Sequence, residues 1–201
     1  KVNEAMEKCQ FNNALEEIRN FTWHVFCDSY VEAVKDRLYR PGFHGDDKKK
    51  VAQKTLYDVL YRILQLLAPV MPHLTEEIYQ VMYAPYNESK SIQTSTWPVF
   101  NESKINDSWE TNGDLIVELI SQIRREKAEN RLSLNTPINQ LVIYSGNKSV
   151  ADLIQLTKGD IIGACKIENF LVVSEKGSGR TLEQYPDLSF VSKYEQEVVK
   201  N

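Results

Sequence analysis

Residues 56–83, LYDVLYRILQLLAPVMPHLTEEIYQVMY, decide the fold of this chain. The first half of the stretch is apolar on nearly every side, a pattern that predicts a helix buried among other helices. Pro69 and Pro72 cannot continue this helix, so it should end near residues 67–68. Thr75 is a suitable N-cap for a second helix, and the acidic first turn after it favours the same start. The stretch therefore predicts a central helix, a two-proline elbow and a capped helix.

A second long helix is expected upstream of the central one. Asn12 or Asn13 can cap it, and it should run to Leu38 or Tyr39 before residues 40–45, RPGFHG, break it. Its apolar residues form two adjoining rows, so we expect this helix to be wedged between at least two others. The rows are Ile18, Phe26, Tyr30, Val34 and Leu38, and Trp23, Cys27 and Val31.

Beyond residue 135 the pattern changes from helical periodicity to short apolar runs. A strand–helix–strand connection of this length joins parallel strands, so a parallel or mixed sheet is expected. The predicted elements are a helix over 113–131, strands over 141–144 and 170–174, a helix over 149–157, a short helix capped by Asp160, and an edge strand over 188–191. The predicted fold is mainly α, with a helical bundle over 1–110 and an amphipathic helix plus a small α/β subdomain over 111–201. Residues 84–110 are expected to form an ordered crossover whose aromatic residues, Trp97, Phe100 and Trp109, pack across the bundle surface.

Composition narrows the class of protein. The chain has 201 residues, 42% of them hydrophobic and 26% charged, as in ordinary globular domains. It has no apolar run of about 20 residues and no signal-peptide pattern, so we expect a cytoplasmic protein without a membrane partner. The three cysteines form no CxxC pair and are expected to be reduced and buried. The net charge of -4 means that any contact with RNA must come from local basic patches.

No motif in the chain indicates catalysis or a bound cofactor. Residues 73–77, HLTEE, lack the closing histidine of an inverted zinc-protease motif. His24 and Cys27 could supply only half a zinc site, and a packed histidine beside a buried thiol explains them better. Residues 177–179, GSG, lack the lysine that follows a phosphate-binding loop. We therefore expect no metal and no cofactor in this chain.

Three stretches carry a family resemblance: LLAPVMPHLTEEIYQ at 66–80, FTWHVFCDSYVEAVKDRLY at 21–39 and SIQTSTWP at 91–98. Together they resemble the class I aminoacyl-tRNA synthetases of the valine, isoleucine and leucine group, and the valine enzymes most. The resemblance implies a bundle of the class I anticodon-binding type that holds a valine tRNA. ATP with magnesium and the upstream domains of the same polypeptide would belong to a catalytic core absent from this chain. The equivalent isoleucine or leucine domain and a helical protein-interaction module are the alternatives.

Two basic clusters are the candidate RNA-binding sites. Cations beside aromatic rings suit a single-stranded RNA loop, because phosphates need charge and unstacked bases need a stacking surface. The alternative is that these cations only complement helix C-termini and keep the surface solvated. The candidate residues are Lys35, Arg37, Arg40, Phe43 and His44 in the first cluster, and Arg124, Arg125 and Lys127 in the second.

Overall fold

The computed structural model describes residues 1–99 and 101–194, apart from the side chain of Lys104. Phe100, which we expected to pack within the crossover before the amphipathic helix, and the polar tail beyond residue 194 lie outside the described residues. The backbone divides into two compact units: Lys1–Val31 with Asp47–Ile105, and Glu32–Asp46 with the chain from Asn106 onward. The predicted division at residue 110 assigns residues 32–46 and 106–110 differently.

Helices occupy most of the chain up to residue 104. In order they are α1 (Val2–Glu7), α2 (Phe11–Asn20), a π-helical segment (Phe21–Val31), α3 (Glu32–Tyr39), α4 (Pro41–His44), α5 (Asp46–Leu67) and α6 (Pro72–Met82). Short 3₁₀ turns follow at Ala84–Tyr86, Ile92–Thr94 and Glu102–Lys104. The predicted end of the central helix is confirmed, since α5 stops at Leu67 and α6 begins at Pro72.

The predicted cap of α6 is wrong. Pro72 takes the first turn, where its missing N–H costs nothing. Thr75 therefore lies inside the helix, and its hydroxyl donates to the Met71 carbonyl at 3.0 Å. Glu76 has a different role from the predicted one, because its carboxylate accepts hydrogen bonds from the Ser91 hydroxyl at 2.8 Å and the Ile92 N–H at 3.0 Å. It fastens the crossover segment to α6.

Tyrosines fill the core of the first unit between α5 and α6. Tyr79 and Tyr83 are fully buried, and the Tyr83 ring centroid lies 4.4 Å from that of Tyr57. The Tyr83 hydroxyl donates to the Tyr57 carbonyl at 2.9 Å, which satisfies the one polar atom of a buried ring. Burial raises the pKa of Tyr83 to about 12.

One of the two predicted apolar rows is largely exposed on the π-helical segment, Phe21–Val31. The other row keeps its covered face there, since Phe26 is buried and its ring stacks on Tyr30 at 6.3 Å between centroids. Trp23 and Cys27 are exposed, and the His24 ring lies 3.3 Å from the Asp28 carboxylate instead of packing beside a buried thiol. Cys9 is exposed too, so the expected burial of the cysteines holds only for Cys165.

The second unit contains the predicted α/β subdomain. Its elements are α7 (Asp107–Glu129), β1 (Ile138–Ser145), α8 (Lys148–Leu156), α9 (Lys158–Cys165), β2 (Ile167–Val173), β3 (Arg180–Thr181) and β4 (Leu188–Lys193). The sheet order is β2-β1-β4-β3, with β1 parallel to β2 and antiparallel to β4. The mixed sheet is confirmed, but β4 lies inside the sheet and is not an edge strand. The mainly α fold with a small α/β part is confirmed.

One apolar core joins α7 to the sheet and to α8 and α9. Its fully buried members include Leu119 and Ile123 from α7, Leu141 and Ile143 from β1, and Ile161 from α9.

Among the described residues, no helix is both long enough and apolar enough to cross a bilayer.

Candidate nucleic-acid interface

The two basic clusters, separate in sequence, meet in the second unit at one carboxylate. Lys35 donates to Glu32 at 2.7 Å, and Arg124 donates to the other oxygen of Glu32 at 3.2 Å. The hydrogen bond from Lys35 lowers the pKa of Glu32, burial opposes the shift, and Arg124 adds to the lowering. Glu32 therefore links one cation of each cluster, Lys35 on α3 and Arg124 on α7, and offsets part of their positive charge.

Arg37 ties α3 to α9. Its guanidinium donates two hydrogen bonds to Asp160, at 2.6 and 2.5 Å, in a half-buried pair. Asp160 was expected to cap its helix, but it lies within the first turn of α9 and accepts the arginine instead. Bidentate pairing of this kind fixes geometry as well as charge. Arg37 thus acts first as a structural residue.

Asp36 organises the end of α3. Arg40 donates to its two oxygens at 2.8 and 2.7 Å, and the ring of His44 lies 2.8 Å from the same carboxylate. Burial raises the pKa of Asp36, but the hydrogen bonds from Arg40 and His44 outweigh burial and leave the pKa below its ordinary value. A Cβ at Gly163 would lie 2.5 Å from the Asp36 Cγ, so only glycine lets α9 approach this closely.

Lys127 is buried inside the fold and does not reach the surface. The residue is 0% exposed, and its ammonium donates to the carbonyls of Leu134 at 3.1 Å, Thr136 at 2.5 Å and Cys165 at 2.8 Å. The Cys165 carbonyl ends α9, where the helix dipole favours a cation. Burial lowers the pKa of Lys127. The prediction that Lys127 binds RNA is therefore wrong for this conformation: its ammonium holds three backbone carbonyls together inside the fold.

The remaining candidates differ in accessibility. Lys35, Arg40, Phe43 and Arg125 are exposed, whereas the His44 side chain is 1% exposed. Arg125 pairs loosely with Glu129 at 3.2 Å and Glu183 at 3.7 Å. Whether any of them binds RNA stays a prediction.

Two functional candidates escaped the sequence reasoning. Tyr39 was treated only as a helix end, yet it is 78% exposed beside Arg40. Asp36 lies four residues before Arg40, a spacing that pairs acid with base on a helix and could have revealed it.

The glycine-rich turn at residues 177–179 has a packing role. A Cβ at Gly177 would overlap the Tyr144 ring, so this glycine serves close packing and not a phosphate cradle. Within residues 1–99 and 101–194, no three His, Cys, Asp or Glu side chains group as metal ligands would.

Comparison with known families agrees with this architecture. The family described as "Anticodon-binding domain of tRNA ligase" matches residues 1–143, which span α1 to α7 and reach into β1. The chain belongs to this family, and the resemblance to class I synthetases is confirmed.

Individual relatives narrow the comparison to one kind of ligase. The chain is 36% identical over 174 residues to a valine–tRNA ligase of Thermococcus kodakarensis, covering 86% of this chain and 19% of the relative. It is 38% identical over 176 residues to one of Methanothermobacter thermautotrophicus, with 88% and 19% covered. A Pyrococcus furiosus valine–tRNA ligase is 33% identical over 192 residues, with 96% and 21% covered. The chain therefore spans about a fifth of the length of these curated relatives.

Proposed function

We propose that this chain holds the anticodon arm of a valine tRNA for a valine–tRNA ligase. The proposal is supported by the family match over residues 1–143, together with relatives that are named valine–tRNA ligases. The exposed cations on α3 and α7, Lys35 and Arg125, form the proposed contact surface.

In this proposal, the chemical step takes place in other domains of the same polypeptide. The relatives are about five times as long as the matched region, which leaves room for other domains of the same polypeptide. There, ATP with magnesium would activate valine before its transfer to the tRNA. The proposed role of this chain is to position the tRNA, and no residue described above takes part in bond making. A cytoplasmic location fits this role.

The pairing of the cations bears on affinity. Lys35, Arg37, Arg40 and Arg124 all contact carboxylates, and the whole chain carries a net charge of -4. Phosphates must compete with these internal anions, so few counterions are released on binding. We expect weak binding by the isolated chain, with a Kd of roughly 10⁻⁴ to 10⁻⁶ M, as in largely electrostatic association.

Titration of a labelled hairpin with the sequence of the valine tRNA anticodon arm tests the proposal. Log K should fall linearly with log salt, and each phosphate contact contributes about 0.7 to 0.9 to the slope. Lys35→Gln and Arg125→Gln should each reduce the slope by about that amount. Lys176→Gln is the matched control, because Lys176 is an exposed lysine of the same unit paired with Asp187 at 2.6 Å.

The competing functions give different results. A protein-interaction module would show no slope for the hairpin. An isoleucine or leucine domain would bind the corresponding arms more tightly than the valine arm. Either result would contradict the proposal.

A further inference from the structure

We infer that Arg40 and Phe43 form a stacking platform for one unpaired nucleobase, and that Asp36 is the positioning residue that holds it in shape. The inference rests on the proposed function and deepens it, since it names the part of the RNA that this corner of the surface receives. The residues lie at the end of α3 and in α4.

The platform presents aromatic surface to solvent. Phe43 is 55% exposed, and Tyr39, which precedes Arg40 in the sequence, is 78% exposed. The Arg40 guanidinium carbon lies 5.3 Å from the Phe43 ring centroid, within cation–π range. Unpaired RNA bases stack on aromatic rings and on arginine planes, so these side chains offer the surface that such a base needs.

Buried side chains fix the platform in position. Asp36 is buried and grips the Arg40 guanidinium through two hydrogen bonds, at 2.8 and 2.7 Å. The buried His44 ring meets Phe43 edge to face at 4.9 Å, and its Nε2 lies 2.8 Å from Asp36. A Cβ at Gly159 would lie 3.0 Å from the His44 ring, so α9 closes the space behind it. A surface fixed before binding loses little conformational entropy when a base stacks on it.

The charge of Arg40 argues for a base and against a phosphate as its ligand. Both Asp36 oxygens already contact the guanidinium, and this pairing raises the pKa of Arg40. A phosphate would have to displace a bidentate carboxylate. Stacking uses the flat face of the guanidinium and leaves its edge bound to Asp36. The geometry therefore points to an unpaired nucleobase.

Binding of two RNA probes by the 201-residue chain tests the platform. The first probe is the anticodon-arm hairpin, which has unpaired loop bases, and the second is a fully paired duplex with the sequence of its stem. Phe43→Leu should weaken hairpin binding by about fivefold or more, the loss expected for one base–aromatic stack. It should leave duplex binding and the salt slope unchanged. The control is Tyr86→Leu, which removes an exposed ring in the other unit and should change neither probe.

Arg40→Lys and Asp36→Asn separate shape from charge. Lysine keeps the charge but loses the planar fork, so Arg40→Lys should weaken hairpin binding at an unchanged salt slope. Asp36→Asn should likewise weaken hairpin binding, because Arg40 and His44 lose their anchor. Tighter binding of both probes with a steeper slope would instead mean that Asp36 only masks a phosphate contact, and would overturn its positioning role. If Asp36→Asn fails to fold, Arg40→Lys decides.

The failures are distinguishable. If Phe43→Leu binds the hairpin as tightly as the parent chain, the platform is wrong, but the proposed function still stands. Equal weakening of hairpin and duplex by Phe43→Leu also overturns it, since stacking is specific to unpaired bases. A parent chain that binds neither probe overturns both proposals.

Discussion

Replacing Lys127 with methionine should destabilise the second unit more than any surface lysine substitution. Methionine keeps much of the side-chain volume, so the change isolates the ammonium and its bonds to the Leu134, Thr136 and Cys165 carbonyls. A hydrogen bond to a charged donor contributes about 1.5–3 kcal/mol, but burying the ammonium costs several kcal/mol, which offsets much of that gain.

The net loss depends on which carbonyls can regain water. The bond to Cys165 is buried, and an unsatisfied buried acceptor costs about 1–3 kcal/mol. The Leu134 and Thr136 carbonyls are only partly buried and can rehydrate at a smaller cost. We expect the free energy of unfolding to fall by about 2–4 kcal/mol.

Native-state hydrogen exchange of the β1 amides measures this loss, because it reports the opening free energy of the unit that contains β1. The control is Lys176→Met, which removes an exposed ammonium of the same unit. If Lys127→Met changed the opening free energy as little as the control does, the structural role of the Lys127 ammonium would be refuted.

Further predictions concern packing, thiols and acid stability. Gly163→Ala should destabilise the second unit in denaturant melts, because its Cβ would overlap Asp36. Gly113→Ala is the control: it lies in open space within α7 and should raise the free energy of unfolding by up to about 1 kcal/mol. If Gly113→Ala were the more destabilising of the two, the close packing at Gly163 would be refuted. A thiol reagent at neutral pH should modify exposed Cys27 in the native chain, whereas Cys165, whose pKa burial raises to about 11, should react only on unfolding; equal rates would contradict its burial. The folded-state pKa of Asp36 lies below 3.8, so its contribution is present above that pH and is lost as the pH falls through the folded value. The stability gap between the parent and Asp36→Asn should therefore narrow in acid, and a constant gap in acid melts would exclude this linkage.

The sequence predicted those features of the fold that local chemistry controls. Pro69 and Pro72 end one helix and start the next because proline lacks an N–H, whatever the tertiary context. The β1–β2 pair was predictable because a helical crossover favours parallel strands.

Features that depend on tertiary context escaped prediction. Trp23 is 63% exposed although its spacing places it in an apolar row, and spacing alone does not reveal which of two such rows a neighbouring element covers. The position of β4 inside the sheet depends on β3, which has only two residues.

The candidate site shows the same division. A basic cluster is visible in sequence, but its partners are not: Arg37 pairs with Asp160 across 123 residues, and the Lys127 ammonium bonds to Cys165 across 38. Reversing the charges of Lys35, Arg37 and Arg40 together would set like charges against Asp160 and Asp36. Such a variant would test stability and not RNA binding, so Lys35 and Arg125 are the better probes.

Hydroxyl-radical footprinting of an intact valine tRNA with the 201-residue chain tests the central claim most directly. We expect protection confined to the anticodon arm, with loop protection reduced by Phe43→Leu and kept by Tyr86→Leu. Protection centred on the acceptor arm, or none at concentrations that saturate binding, would contradict it.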